Sequence, residues 1–316
     1  MPTVVARARE EAKVRAFITG GTGLIGRRLV DELLARGDSI AVLTRDAAAA
    51  RATLPKAVVL VEGDPTAPGP WQQAVSDADA VVNLAGEPIF ARRWTAAQKR
   101  RILTSRVQAT QNVVEAMAGL AEGPRTLINA SGVGYYGPHG DEELDEDAPA
   151  GSDFLAQVGR EWEAAAGATS AGIRAVLLRT GVVLAPEGGA LKQMALPFRL
   201  HVGGPVGSGR QWVSWVHIED LVGVILFALD NESMLGPVNG TAPHPVTNRE
   251  FATTLGRVLG RKSWLPVPRV ALRVAIGQVA DLAARGQRVF PRKAVEAGYR
   301  FRYVNPSDAL EQIPRS

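Results

Sequence analysis

The stretch ITGGTGLIG, residues 18–26, decides the fold. Its glycines at 20, 23 and 26 stand between an apolar, β-rich run, VRAFITG (14–20), and the run RRLVDELLARG (27–37). In the second run Leu29, Val30, Leu33 and Leu34 share one helical face, and Gly37 is a natural stop. Strand, glycine turn and helix in that order make a cradle for a pyrophosphate. Gly20 permits the tight turn, Gly23 lets backbone N–H groups approach the anion, and Gly26 lets helix and strand pack closely. A glycine pattern alone is weak, because a Gly-rich turn in an unrelated α/β protein shows the same letters; its setting gives it weight here. Gly20, Thr22, Gly23, Leu24, Ile25 and Gly26 are therefore expected to grip a dinucleotide.

Working outward, short apolar runs recur at SIAVLTRD (39–46), AVVLVEGD (57–64), DAVVNLAG (79–86), RTLINAS (125–131) and IRAVLLRTGVVL (173–184). Such runs suit parallel strands covered on both faces. Helical stretches are expected at about 95–119 and 153–171. The alternation predicts an α/β fold with a doubly wound parallel sheet (Rossmann), spanning 14–185. After 184 the texture changes to Gly- and Pro-rich loops, a helical piece near 190–200, and an amphipathic helix, HIEDLVGVILFALDN (217–231). Residues 186–316 are expected to form a smaller, mainly helical substrate lobe, with 215–245 returning to the first domain. Residues 1–13 read as an N-terminal extension. The acidic loop DEELDED (141–147) reads as a solvated face.

Composition narrows the chemistry. The 316 residues are 46% apolar and 22% charged, with a net charge of +4, dispersed in a way that does not suggest nucleic acid. There is no cysteine, which excludes disulfides, thiolate catalysis and zinc–thiolate sites. The four histidines, at 139, 201, 217 and 244, lie too far apart in sequence for a metal-ligand spacing, so no metal is expected. No apolar run approaches the roughly 18 residues of a membrane span, and residues 1–13 lack the apolar core of a secretory signal. A cytoplasmic protein without a membrane partner is the expectation. Lysine occurs only at 13, 56, 99, 192, 262 and 293, so the other basic residues are arginine. A single arginine is discounted unless its position says more.

One arginine has such a position. An acidic residue ending the second strand would bind a ribose 2′-hydroxyl and favour NAD. Here the strand ends LTRD, and Arg45 offers a fork suited to a 2′-phosphate, with Thr44 as a hydroxyl donor. NADP(H) is the expected cofactor; the alternative is that Arg45 is merely exposed and Asp46 reads the ribose. Asp64 is placed to meet the adenine edge. Leu84, Ala85 and Gly86 would pass their backbone near the cofactor ribose and nicotinamide.

These motifs, with SGVGYYG (131–137), LRTGVVLAP (178–186) and WVHIEDL (215–221), resemble the extended short-chain dehydrogenase/reductase superfamily. AGEPI, RRW, Ser105–Arg106, GYYG, PFRL and GGPVGSGRQW narrow the resemblance to an epimerase-family subgroup that ends in a helical domain of unknown function, here about 264–312. The resemblance implies a Ser or Thr after the fifth strand and a Tyr-x-x-x-Lys pair on the next helix for proton transfer. Matching YYG puts Gly132 at the Ser/Thr position. Matching the helix glutamate to Glu163 puts Leu155 and Gly159 at the Tyr and Lys positions, and residues 150–170 contain neither Tyr nor Lys.

Substitute candidates are Ser131, which would bond a substrate carbonyl or cap a turn, and Tyr135, which would reach the nicotinamide pocket or simply pack. Arg106 stands where the superfamily usually has an Asn facing the site, and would contact cofactor phosphate or an acidic substrate, or simply face solvent. Val182 would position the nicotinamide. His217 is expected to be structural. Val213 stands where the sugar-nucleotide branch has its diphosphate-clamping Arg, so a sugar nucleotide is not expected. Leu196, Pro197, Phe198, Trp212 and Trp215 would line an apolar pocket or fill the lobe core. Two functions follow: an NADP(H)-dependent oxidoreductase acting on an unidentified small carbonyl or alcohol, or a non-catalytic NADP(H)-binding sensor or scaffold acting through a protein partner.

Overall fold

The computed structural model describes residues 13–90, 92–118, 120 and 123–312; the expected N-terminal extension, Lys13 apart, lies outside the described residues. The strands are β1 (Arg15–Thr19), β2 (Ser39–Thr44), β3 (Val59–Glu62), β4 (Ala80–Asn83), β5 (Thr126–Gly132), β6 (Glu143–Leu144), β7 (Arg174–Thr180) and β8 (Val182–Leu184). They continue with β9 (Trp212–Val213), β10 (Trp215–His217), β11 (Gly236–Gly240), β12 (Val246–Thr247) and β13 (Arg288–Val289). The helices of the sheet domain are α1 (Leu24–Arg36), α2 (Ala47–Arg51), α3 (Ala96–Met117) and α4 (Phe154–Gly167). After them come α5 (Gly189–Arg199), α6 (Ile218–Asp230), α7 (Asn248–Val258), α8 (Arg269–Ile276), α9 (Ala280–Ala284), α10 (Arg292–Glu296) and α11 (Pro306–Leu310).

Seven strands pair in the order β11-β7-β5-β4-β1-β2-β3, every pair parallel. The order reverses between β1 and β4, so the crevice of a doubly wound sheet opens at their carboxyl ends. One face of the sheet buries Leu29 and Leu33 of α1 with Leu221 and Ile225 of α6. The other buries Phe17, Trp71, Val113, Met117 and Leu127. This double coverage explains why the sheet strands read as apolar runs rather than as alternating ones.

The lobe has its own core, in which Phe198 and Trp215 are buried among Leu191, Phe251, Leu255 and Tyr303. Those two aromatics therefore fill the lobe rather than wall a pocket, whereas Leu196 is exposed. The segment 215–245 supplies α6 and the seventh strand, β11, to the sheet. Asp220 of α6, buried and held above the usual carboxylate range by that burial, accepts from the backbone N–H of Arg302 (2.8 Å) and Tyr303 (2.9 Å). One carboxylate thus ties the C-terminal segment to the sheet domain.

Three expectations are corrected. The run 173–184 is not one strand: it breaks at Gly181, where a Cβ would meet Thr241 Cγ2 at 3.0 Å, and β8 leaves the sheet to pair with β10. The loop 141–147 is not wholly solvated. Its Leu144 and Glu146 are buried, β6 pairs with β13, and Glu146 accepts from the N–H of Asn239 at 3.0 Å and more weakly from that of Lys293 at 3.3 Å. The helix expected over 153–171 ends at Gly167.

Gly26 permits the approach of α1 to β1, because a Cβ there would run into Gly20 O and the backbone of Gly21. Overpacking of this kind costs about 1–3 kcal/mol. Gly26→Ala is expected to lower the urea midpoint accordingly; an unchanged midpoint would show that the turn can relax.

Candidate functional site

The loop between β1 and α1 is bare backbone aimed at the crevice. Gly20 has φ +70° and no room for a side chain, since a Cβ would lie 2.8 Å from Leu84 O. Gly23 N–H donates to Gly20 O (3.0 Å), fixing the turn. Gly23 is the N-cap of α1 and offers no capping side chain, and no acidic residue lies in the first turn. Helices α3 and α4, by contrast, are capped by Thr95 and Asp153. The first-turn N–H groups of α1, at Leu24, Ile25 and Gly26, are left for an anion from outside, and the helix dipole favours one.

At the end of β2, Asp46 is committed: its Oδ1 accepts from Ala49 N–H (2.8 Å) and caps α2. Thr44 Oγ1 donates to Asp46 O (3.2 Å). Arg45 is exposed beside them. Asp64 Oδ1 accepts from Thr66 N–H and Oγ1–H, a local turn that leaves the residue exposed.

The backbone at 84–86 is held by a buried polar network that the sequence motifs do not announce. Thr19 Oγ1 donates to Asn83 Oδ1 (2.5 Å) and accepts from Ala85 N–H (3.2 Å). Asn83 Nδ2 donates to Asn129 Oδ1 (2.6 Å) and Thr110 Oγ1 (2.9 Å). The only sequence signal for it is an Asn inside each of two apolar runs.

Arg106 lies against this segment. A Cβ on Gly86 would meet its Cζ at 3.0 Å, and its guanidinium sits 5.0 Å over the Trp162 ring. Its Nη1 donates to the carbonyls of Glu87 and Ile102, both at 3.0 Å. Burial pushes its pKa down to about 10. Val182 is half-buried at the start of β8, its N–H donating to Ser214 O (2.8 Å).

Ser131 and Tyr135 are drawn into a second network. Buried Ser131 donates through Oγ to Glu163 Oε1 (2.7 Å). Glu163 pairs with Arg179 through both oxygens, Nε–Oε1 at 2.9 Å and Nη2–Oε2 at 2.8 Å. Arg179 also donates to Tyr136 Oη (2.9 Å), which donates to Asn239 Oδ1 of β11 (2.7 Å). Burial pushes Tyr136 up to about 12. Tyr135 lays its ring on Arg179, 3.6 Å from centroid to Cζ. In the sequence Glu163 stands out only as the glutamate of the helix, and no signal there links it to its partner on β7, 16 residues later.

Leu155 and Gly159, the positions expected from the sequence to match Tyr and Lys, pack against the turn after β5. A Cβ on Gly159 would meet Tyr135 Cα and Cβ at 3.1 Å, and a Cβ on Gly134 would meet Leu155 Cβ at 3.0 Å. The turn after β5 packs straight onto α4. His217 is buried, accepts Glu219 N–H at Nδ1 (3.3 Å) as the N-cap of α6, and lies with its ring centroid 3.9 Å from that of Tyr303, the two planes tilted by 39°. Among the described residues no cluster of His, Cys, Asp or Glu is arranged to hold a metal.

With that geometry in view, the profile of the NAD dependent epimerase/dehydratase family matches residues 16–239. The chain belongs to this family. Residues 267–313 match a domain of unknown function, DUF1731. This epimerase-family chain is 43% identical to the Arabidopsis thaliana "Epimerase family protein SDR39U1 homolog, chloroplastic", over 98% of its own length and 89% of that protein. It is 41% identical to Bacillus subtilis "Epimerase family protein YfhF", over 94% and 96%. The crystal structure of human epimerase family protein SDR39U1 (isoform 2) with NADPH superposes with TM-score 0.84 at 35% identity, covering 95% of this chain and 98% of that one. A UDP-galactose 4-epimerase, at 19% identity and TM-score 0.72, shares the fold.

Removing Glu163 would strand Arg179 as a buried, unpaired charge, which typically costs about 3–5 kcal/mol. Glu163→Ala is expected to lower the unfolding midpoint strongly, and adding Arg179→Met to recover part of the loss. Measured by urea denaturation, a single variant as stable as the parent would show the pair to be dispensable.

Proposed function

We propose that this chain binds NADP(H), through the open N-terminus of α1 and the guanidinium of Arg45. The carrying observation is the division of labour after β2: Asp46 spends its carboxylate on α2, while exposed Arg45 stands beside it. The residues fit the cofactor by their chemistry. The first turn of α1 meets the pyrophosphate, Arg45 and Thr44 the 2′-phosphate, Asp64 the adenine edge, and Leu84–Gly86 with Val182 the nicotinamide half. Arg106 adds a cation beside Gly86. The human relative's crystal structure with NADPH supports the same choice.

The proposed activity is an NADP(H)-dependent oxidoreductase acting on a small, rather apolar carbonyl or alcohol. When bound, the nicotinamide supplies or takes a hydride. The protein's part is to orient the substrate and handle a proton. Ser131 is committed to Glu163, which leaves Tyr135, whose hydroxyl has no hydrogen-bond partner among the described residues. The Arg179 guanidinium, 3.6 Å from the centroid of its ring, holds that ring in place. A second reading, a cofactor-dependent sensor acting through a protein partner, draws its support from the closed packing of Gly159 on Tyr135 and Gly134 on Leu155.

One measurement tests the cofactor assignment and a second separates the two readings. Arg45→Asp is expected to weaken NADPH by several-fold to about a hundredfold in calorimetry, and NADH far less, if the 2′-phosphate contacts contribute about 1–3 kcal/mol. Equal losses would remove Arg45 as the discriminator. A carbonyl panel with NADPH is expected to show turnover that Tyr135→Phe depresses without changing cofactor affinity. Tight NADPH binding with no turnover, plus a partner that distinguishes NADPH from NADP⁺, would favour the sensor.

A further inference from the structure

The cofactor crevice leaves one large feature unused, a basic and apolar face on the C-terminal lobe. Helix α8 hides little: Val270 and Val274 are 76% and 71% exposed, Ile276 is also exposed, and half-buried Leu272 is its inward residue. Just before it, Trp264 is 64% exposed and Leu265 lies beside it at the surface. Trp264 Nε1 donates to His201 O (3.4 Å), and Leu265 N–H donates to Gly203 O (3.5 Å). The segment therefore runs along 200–203, where Leu200 and Val202 are exposed too. The result is one continuous strip of projecting apolar side chains.

The charge on this strip has one sign. The 30 residues Phe251–Ala280 contain Arg257, Arg261, Lys262, Arg269 and Arg273 and no acidic residue. All five cations are exposed, and none has an acidic partner among the described residues. Several surface arginines elsewhere are paired, as in Arg15–Asp79, Arg36–Asp230 and Arg302–Glu219. On α8 the Arg pair and the Val pair are each spaced i,i+4, so guanidinium and valine rows run side by side on the exposed arc.

We propose that this face, Trp264–Ile276 with Leu200 and Val202, rests on an anionic membrane surface. Projecting Trp and Val side chains need an apolar medium that makes room for them, and a bilayer interface does so without a matching groove. Arginine and lysine stems lie along such an interface while their heads reach anionic headgroups. A second copy is the wrong occupant by charge, since it would bring five more unpaired cations to the contact. No helix among the described residues is long and apolar enough to span a bilayer; the lobe lies on the membrane, not through it. The face also adjoins the crevice, because Arg93 Nη2 donates to Val274 O (2.5 Å) from the loop that follows Gly86. The proposal does not depend on the cofactor assignment.

The test is flotation of the full chain with vesicles of phosphatidylcholine alone or mixed equally with phosphatidylglycerol, at low and high salt. The chain is expected to float with the anionic vesicles only, and to be released by salt. Trp264→Ser with Val270→Ser and Val274→Ser, and separately Arg269→Glu with Arg273→Glu, are expected to cut the bound fraction by about tenfold or more. Thermal melts by circular dichroism establish that each variant is folded. Hydrogen exchange of the unaltered chain gives a readout that no variant's folding can spoil, with vesicle-dependent protection expected at 260–276. Four results would overturn the proposal: absence of flotation, equal flotation on neutral vesicles, folded variants that still float, and unchanged exchange at 260–276. So would a dimer in sedimentation equilibrium that the apolar triple variant dissociates, which assigns the face to a second copy.

Discussion

The approach of α1 to β1 across Gly26 and Gly20 is the constraint on which the rest depends. Because no Cβ intervenes, the helix begins directly above the end of the first strand, and its first N–H groups face the crevice instead of a capping side chain. The place is the reversal of strand order between β1 and β4, so the same crossover that winds the sheet both ways opens the crevice. The polar side chains Thr19, Asn83, Thr110 and Asn129 sit beneath it, fully buried and paired with one another. They hold the 84–86 backbone in place without offering the crevice a charge.

On the other side of the crevice the turn after β5 packs closely onto α4. Gly134 and Gly159 let the turn after β5 sit directly on α4. Under that turn the Glu163–Arg179 pair, both partners buried, reaches from Ser131 to Tyr136 and on to Asn239 of β11. A buried ion pair is weak evidence for net stability, but this one fixes three strands and a helix in register around Tyr135. A side chain at 159 would therefore require the turn to move.

Much of the fold was legible because its signals are local. Apolar runs, glycine spacing and helical faces identified β1–β5, α1, α3 and the crevice loop within a few residues. What escaped depends on distant partners. β11 is made of Gly236, Pro237, Val238, Asn239 and Gly240, poor strand formers held in place by β7. Gly181 looks like an ordinary strand residue until Ser214 and Thr241 approach it. Glu146 sits in an acidic stretch that suggests solvent, yet it is buried because it receives backbone N–H groups from Asn239 and Lys293. Ser131 seemed available as a hydroxyl because its carboxylate partner lies 32 residues away.

The order of the sheet has a consequence for biosynthesis. β7 is the sixth strand of the sheet to leave the ribosome, and its outer edge stays unpaired until β11 emerges, after β8, α5, β10 and α6. An unpaired parallel edge is a template for association with other chains. The Arg179–Tyr136–Asn239 link closes only when translation has passed residue 239. Nascent chains stalled before that point would carry Arg179 without its link to β11 and an open β edge together.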